Sequence, residues 1–436
     1  MQYTAYTNHT FAQTPYYAAL PPAERMTFDL LAQVFHFKVN RYVCEHLIDW
    51  EKVPEDPIYR FVFPRREMLA PRDFAFLQEL ARGGIDERLR QQFVAGIRRR
   101  QQPRYISAPG SLPRWDGEPI TGMYRNFPTI VSLFPDPMVK TCHAYCSYCF
   151  RWIMFNNRKA QQSSSYRDPR TPVPWLRAHP EVSDVLFTGA DPLVLKARTL
   201  EQYIAPILDL ESVQVIRISS KSLAWWPYRF TRDPDADNLL RLFAAIRARG
   251  KHLNLCVHFT HPRELAHPEV ARAVDRIRET GAVIRTQGPL IRNVNDDPGT
   301  WSRLWTQQVA LGMVPYYMFM EADHHPQSCF RVRPARALRI FQAAQATTTG
   351  LARTVRGPVF MYDLNRVLLD GTTTVNGQTY FVLKTLQSPP GTPSEGHIKL
   401  LPYDEKAQDL GNLYELFNQP SPNREAEPGP CTHQLQ

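Results

Sequence analysis

Apolar residues recur at three- and four-residue steps along two stretches near the start of the chain. These are MTFDLLAQVFHFKVNRYVCEHLIDW (26–50) and RDFAFLQELARGGIDERLRQQFVAGIRRR (72–100). That period puts the apolar positions on one face of a helix and predicts an N-terminal helical cap from Pro22 to about Arg100. Between the two stretches, VPEDPIYRFVFP is a proline-punctuated connector. Residues 1–20 are aromatic and polar without a period and read as an arm or a disordered end. Residues 101–128, rich in Pro, Gly and Arg, read as a loop leading into the core.

From about Ile130 the texture changes to short β-prone runs: TIVSLF (129–134), SDVLFTG (183–189), VQVIRIS (213–219), HLNLCVHF (252–259), AVIRTQG (282–288) and VPYYMFM (314–320). Helical stretches such as TLEQYIAPILDL, DADNLLRLFAAIRARG, PEVARAVDRIRETG and TWSRLWTQQVALG fall between most of them. Strand–helix alternation implies parallel strands with right-handed crossovers. Six such strands predict an α/β fold, a partial (β/α)6 TIM-like barrel with its chemistry at the C-terminal strand ends. After a last helix over 335–349, the runs VRGPVFMYDL and RVLLDGTTTVNGQTYFVLK look extended, with VNGQ as a hairpin turn. The expected organisation is an arm and helical region over 1–105, the barrel over 106–350, a β-rich extension over 351–418 and a flexible tail over 419–436.

With 436 residues and 43% hydrophobic positions the chain can bury a large core. No apolar run reaches the roughly 18 residues of a membrane span, and the N-terminus lacks a signal-peptide layout. A cytoplasmic location is expected. The net charge of +10 raises nucleic acid as a partner. The only dense basic run, Arg98-Arg99-Arg100, however, ends a helix, where cations are favourable anyway. The seven cysteines do not pair up as a disulfide framework and point to a reducing compartment.

Three of those cysteines, Cys142, Cys146 and Cys149, lie in KTCHAYCSYCFRW with the spacing C-x3-C-x2-C. Three thiolates on one loop can ligate three irons of a 4Fe–4S cluster. The fourth iron keeps an open position for a small molecule, such as the amino and carboxylate groups of S-adenosylmethionine (SAM). A structural zinc site normally takes four protein ligands, and Cys44, Cys256, Cys329 and Cys431 are solitary, so zinc is not expected. The spacing, with Tyr148 before the third cysteine, resembles the radical-SAM superfamily.

Further fragments, in order over roughly residues 50–370, resemble the lysine 2,3-aminomutase family within it. They are DPIYRFVFP, DVLFTGADPL, HFTHPRE, IRTQGPLIRNVND and VPYYMF. The resemblance implies that Thr188, Gly189, Asp191, Ser219, His258 and Gln287 lie beside SAM. It also implies that Arg151 binds a substrate α-carboxylate, for which a guanidinium fork is suited. Asp363 matches the family's aspartate that pairs with the distal ammonium of lysine. Glu321 and Asp323 flank the matching position of a second acid.

The chain also departs from the family. Its pyridoxal phosphate (PLP) lysine ends PGGGGK; gapless alignment from Pro358 puts Asp370 there, and Arg366-Val367-Leu368-Leu369 replaces the glycines. Of the phosphate-holding arginines, Arg125 has a counterpart and the second does not. An aldimine needs an amine, so PLP is not expected unless Lys384 substitutes, and the family's C-terminal zinc cysteines are absent.

The leading expectation is a PLP-independent radical-SAM enzyme acting on a free basic amino acid, arginine before lysine, to give a dehydroamino acid. An electron donor such as flavodoxin or ferredoxin is implied, and a homo-oligomer is left open. The alternatives are an aminomutase using PLP, modification of a protein lysine, and a non-catalytic cluster-binding relative.

Overall fold

The computed structural model describes residues 2–83, 86–100, 112–149, 151, 164–320, 329–362, 364–392 and 394–410. Of the two readings of residues 1–20, an arm or a disordered end, the described residues form an ordered arm. Strand β1 (Ala5–Thr7) pairs antiparallel with β2 (Lys38–Asn40), and Phe11 is fully buried among Phe28, Phe37 and Phe63. The helical reading of 26–50 holds only as far as Leu31. Beyond it the apolar residues serve β2 and a widened helical turn at Val43–Leu47, because a common buried side suits either geometry over so short a run. Helices Pro71–Ala81 and Glu87–Arg100 fall where the period put them.

A small hairpin, β3 (Arg114–Trp115) with β4 (Glu118–Pro119), precedes the main sheet. Its eleven strands lie in sequence order. They are β5 (Met123–Phe127), β6 (Ile130–Leu133), β7 (Asp184–Phe187), β8 (Val215–Ser220), β9 (His252–His258), β10 (Val283–Leu290), β11 (Val314–Met320), β12 (Arg356–Tyr362), β13 (Asn365–Val375), β14 (Gln378–Gln387) and β15 (Ile398–Pro402). From β6 to β12 every neighbouring pair is parallel. Each strand therefore lies beside its predecessor and the sheet winds one way, as a partial TIM-like barrel does, instead of doubling back.

All six strands expected from the sequence are present. Two differences concern the ends of the sheet. Strand β5, read as loop, pairs antiparallel with β6. Strand β12, read as the start of a separate extension, adds to β11 in parallel, so the sheet passes position 350 without a break. The Asn376-Gly377 turn has positive φ at both residues, 50° and 78°, the conformation that closes a two-residue hairpin.

Alternation along the strands decides what the barrel holds. On β8, Ile216 and Ile218 are fully buried, as are Leu253, Leu255 and Val257 on β9. Helices such as Pro268–Glu279, which buries Val270, Ala273, Val274 and Ile277 at helical spacing, pack in the same core cluster. The intervening positions carry polar groups: Asp184, Arg217, Ser219, Asn254, Cys256, His258, Arg285 and Gln287. No described helix is long and apolar enough to cross a membrane.

Candidate active site

The three cysteines follow β6, and the loop that bears them is fastened from three directions. From the N-terminal region, Lys38 Nζ donates to Thr141 Oγ1 and to the Cys142 carbonyl, both at 2.8 Å. The Tyr145 amide donates to the Lys38 carbonyl at 2.8 Å, and the Tyr3 hydroxyl to the His143 carbonyl at 2.9 Å. From the proline connector, the Phe61 carbonyl accepts from the Ser147 amide at 2.9 Å. That connector folds as the short helix Pro57–Val62, capped by Asp56 Oδ1, which accepts from the amides of Ile58 and Tyr59. Its Phe61 ring lies 5.4 Å from Tyr148, 5.6 Å from Trp225 and 6.0 Å from His258.

The third direction is the end of β7. Gly189 has φ +141°, and a Cβ there would sit 2.8 Å from the Met138 carbonyl oxygen, so only glycine permits this approach. The Ala190 amide donates to Met138 O at 2.8 Å, and the Asp191 amide to Thr141 O at 3.3 Å. Asp191 is buried. Its Oδ1 accepts from the Leu193 amide (3.0 Å) and Ser220 Oγ (2.8 Å), and its Oδ2 from the Lys221 amide (2.9 Å) and Ser222 Oγ (3.1 Å). A carboxylate has about four acceptor sites, and all are taken. Asp191 thus ties the end of β7 to the end of β8. Burial raises its pKa and these donors oppose that rise.

The three cysteine side chains are half-buried. Burial pushes the Cys142 thiol well up, with Asp191, Cys149 and Cys146 adding in the same direction. Burial also raises Cys146 and Cys149. Such thiols give up their protons to a metal. Among the described residues no three His, Cys, Asp or Glu side chains are arranged around one ion. A cubane binds each thiolate on a different iron, so its donors need only face one cavity. The donor set fits a 4Fe–4S cluster on Cys142, Cys146 and Cys149.

The other expected contacts fall at the strand ends. Thr188 is buried directly after β7. Ser219 lies opposite Cys256, and His258 opposite Gln287. Burial and then Lys221 hold His258 well below the usual imidazole range, and its Nε2 lies 3.2 Å from Thr260 Oγ1. Tyr148 stands edge-on to His258 at 6.2 Å. Arg151 donates from Nη1 to the Gly189 carbonyl at 3.0 Å and lies over the Phe134 ring at 5.3 Å. Glu321, Asp323 and Asp363 lie outside the described residues.

Several groups were not anticipated. Lys221 pairs with Glu264 at 2.7 Å, and Glu264 also accepts from Trp225 Nε1 and from the Thr260 and His261 amides. The polar run ISSKS closing a strand was the available signal. The two positions weighed for PLP are both exposed: Asp370 on β13 and Lys384 on β14. Asp370 lines a 540 Å³ cavity with Phe341, Arg353 and Leu368, which no cysteine borders. Arg125 is committed to the Pro128 carbonyl and to Glu181.

No family model matches the chain. It is 29% identical over 338 residues to an Aquifex aeolicus protein carrying an L-lysine 2,3-aminomutase name, covering 77% of this chain and 78% of that one. It is 24% identical over 292 residues to L-lysine 2,3-aminomutase of Escherichia coli (65% and 79%) and 28% identical over 232 residues to that of Clostridium subterminale (53% and 52%). The chain thus spans about half the length of the clostridial relative. A radical SAM methyltransferase from Sphaerobacter thermophilus superposes at TM-score 0.34 with 16% identity, over 56% of this chain and 69% of that one, too loosely to bear on the argument.

Proposed function

With the chain a member of the lysine 2,3-aminomutase-like family of radical SAM enzymes, we propose that it removes a hydrogen atom from an amino-acid side chain without PLP and yields the dehydroamino acid. The observation supporting PLP independence is the state of four amines among the described residues: those nearest the cysteine loop and the one weighed as a substitute. Lys38 is bonded to Thr141 and the Cys142 carbonyl, Lys221 to Glu264 and Lys140 to Asp136, while Lys384 is exposed on β14. A Schiff-base lysine must be an uncommitted amine facing the substrate.

A cluster on Cys142, Cys146 and Cys149 with bound SAM would supply the 5′-deoxyadenosyl radical. The chain's own contribution is positional. Asp191 and Gly189 set the β7 loop against the cysteine loop, and Phe61, Tyr148 and Trp225 exclude water. His258, held neutral, offers a hydrogen-bonding group without charge. The electron spent in SAM cleavage is matched by the one the substrate gives up with its proton, through a carrier of the flavodoxin or ferredoxin type. The preference for arginine over lysine rests on Glu321, Asp323 and Asp363, since three carboxylates can bracket a five-donor guanidinium.

The test is anaerobic reconstitution with SAM and a panel of free amino acids, read by mass spectrometry. The expected product is two mass units lighter than substrate, with one 5′-deoxyadenosine each, and Cys146→Ala abolishes SAM cleavage. An equal-mass product with SAM regenerated would return the chain to its relatives' named aminomutase activity.

A further inference from the structure

A single buried hydroxyl stands between a cation and an imidazole just beyond the end of β9. Thr260 is fully buried. Its Oγ1 lies 3.2 Å from Lys221 Nζ and 3.2 Å from His258 Nε2. Its backbone is pinned on both sides. The Thr260 amide donates to Glu264 Oε2 at 2.6 Å, and Asn295 Nδ2 donates to the Thr260 carbonyl at 3.0 Å. Asn295 in turn accepts from the Ile291 amide at 2.7 Å. The hydroxyl therefore rests on a frame built from the segments that follow β9 and β10.

Donors and acceptors at this junction balance in only one way. An ammonium has three donors and no acceptor. Lys221 gives one to Glu264 Oε1 at 2.7 Å, one to the His258 carbonyl at 3.3 Å and one to Thr260 Oγ1. Thr260 Oγ1 thus accepts from Lys221, and its own proton needs another oxygen or nitrogen. Among the described residues the acceptor it meets is His258 Nε2. A ring protonated at Nε2 would leave that buried hydroxyl proton unbonded, which is costly. Burial and then Lys221 keep the His258 ring neutral, so its one proton sits on Nδ1, fixed by the bond that Nε2 makes. Among the described residues Nδ1 has no hydrogen-bond partner, and it is not one of the sealed polar atoms. The ring stands edge-on to Phe61 and to Tyr148 of the cysteine loop, at 6.0 Å and 6.2 Å.

We propose that Lys221 and Thr260 are positioning residues for SAM: they hold His258 with its proton on Nδ1, which donates to an acceptor atom of the bound cofactor. This rests on the reading that puts SAM beside His258. The group it selects carries a lone pair, either a carboxylate oxygen or an unprotonated nitrogen of the adenine. The competing role is a plain bridge between the ends of β8 and β9, for which the site of the ring proton is immaterial.

The experiment uses the full chain, anaerobically reconstituted with its cluster oxidised, as wild type, Thr260→Ser, Thr260→Val and Lys221→Met. Histidine ring nitrogens are isotope-labelled, and long-range proton–nitrogen correlation reads the tautomer of His258, assigned by its loss in His258→Gln. Equilibrium dialysis then measures Kd for SAM and for 5′-methylthioadenosine, which lacks the amino-acid end. Wild type and Thr260→Ser should show Nδ1–H alone. Thr260→Val and Lys221→Met should each give a mixture of tautomers. Because Lys221→Met strands the Glu264 carboxylate, Thr260→Val carries the result if that variant does not fold. SAM should bind about tenfold more weakly to Thr260→Val and within about twofold of wild type to Thr260→Ser. An equal loss for methylthioadenosine puts the acceptor on the adenosine, and a loss confined to SAM puts it on the carboxylate.

Nε2–H in wild type, or undiminished Nδ1–H in Thr260→Val, would overturn the placement of the proton. Tautomers that shift as expected while SAM affinity stays unchanged would overturn the role toward the cofactor and leave the plain bridge. Nδ1–H in a wild-type chain that binds no SAM would overturn the cofactor reading itself, with the proton placement standing.

Discussion

The ammonium of Lys38 donates at 2.8 Å to the carbonyl oxygen of Cys142, placing a half-buried positive charge behind the first ligand of the proposed cluster. It also lies 5.9 Å and 5.8 Å over the rings of Tyr3 and Tyr145. Among the described residues it has no carboxylate partner. A nearby cation favours the reduced, more negative state of an iron–sulfur centre. Lys38→Met should therefore lower the cluster's midpoint potential by tens of millivolts while iron content stays at the wild-type level. Anaerobic potentiometry followed by electron paramagnetic resonance reads both, and an unmoved potential would contradict the electrostatic role.

Asp191 was expected beside SAM, yet its four acceptor sites are filled by the chain itself. Asp191→Asn turns an amide donor toward groups that also donate, and should cost about 2–3 kcal/mol of stability. Urea denaturation of the SAM-free protein measures this. A variant as stable as wild type but impaired in SAM affinity would instead point to a direct role at SAM, as the family resemblance implies.

The buried carboxylate of Asp56 pairs with Arg263 and caps the helix that carries Phe61. Arg263 also donates to the Leu47 carbonyl at 2.8 Å. Asp56→Ala leaves an uncompensated guanidinium and an open helix end, for an expected loss of about 3–5 kcal/mol. Adding Arg263→Met should recover part of it. Additive losses in the double variant would show that the two groups do not act as a pair.

His261 accepts from the Arg263 amide through Nδ1, so the fold requires the neutral ring. Burial, assisted by Arg263, lowers its pKa from 6.5 to about 4. Because the folded value is the lower one, the unfolded chain takes up the proton first as pH falls. The stability associated with the neutral ring is thus full above about pH 6.5 and lost on the way down to about pH 4, by roughly 3 kcal/mol. His261→Asn keeps an accepting cap and should flatten that part of the stability–pH curve. Identical slopes for variant and wild type would exclude His261 as the cause.

The strands and their crossing helices were legible because each has one buried face and a period that nothing contradicts. Strand β11 spans Val314–Met320, the very run expected. Regions organised by long-range contacts were not. Residues 1–20 have no period because Tyr3 packs between the His143 and Trp226 rings, rather than along one face of a helix. Strand β5 was hidden by its Gly- and Pro-rich flanks. The cysteines were readable from spacing alone, whereas the hydrogen bonds of Asp191 depend on a neighbouring strand and left only the polar run after β8 as a trace.

The Tyr3 hydroxyl and the carbonyl it holds at His143 are separated by 140 positions along the chain, and Asn40, on the strand that pairs with that arm, reaches the Trp225 carbonyl. Contacts of such span are closed late in folding. The cysteine loop therefore acquires its final shape only once residues as far along the chain as Trp225 have joined the fold. Capacity to receive iron thus depends on partners far from the loop itself, and a chain that has not closed these contacts presents its thiols without that support.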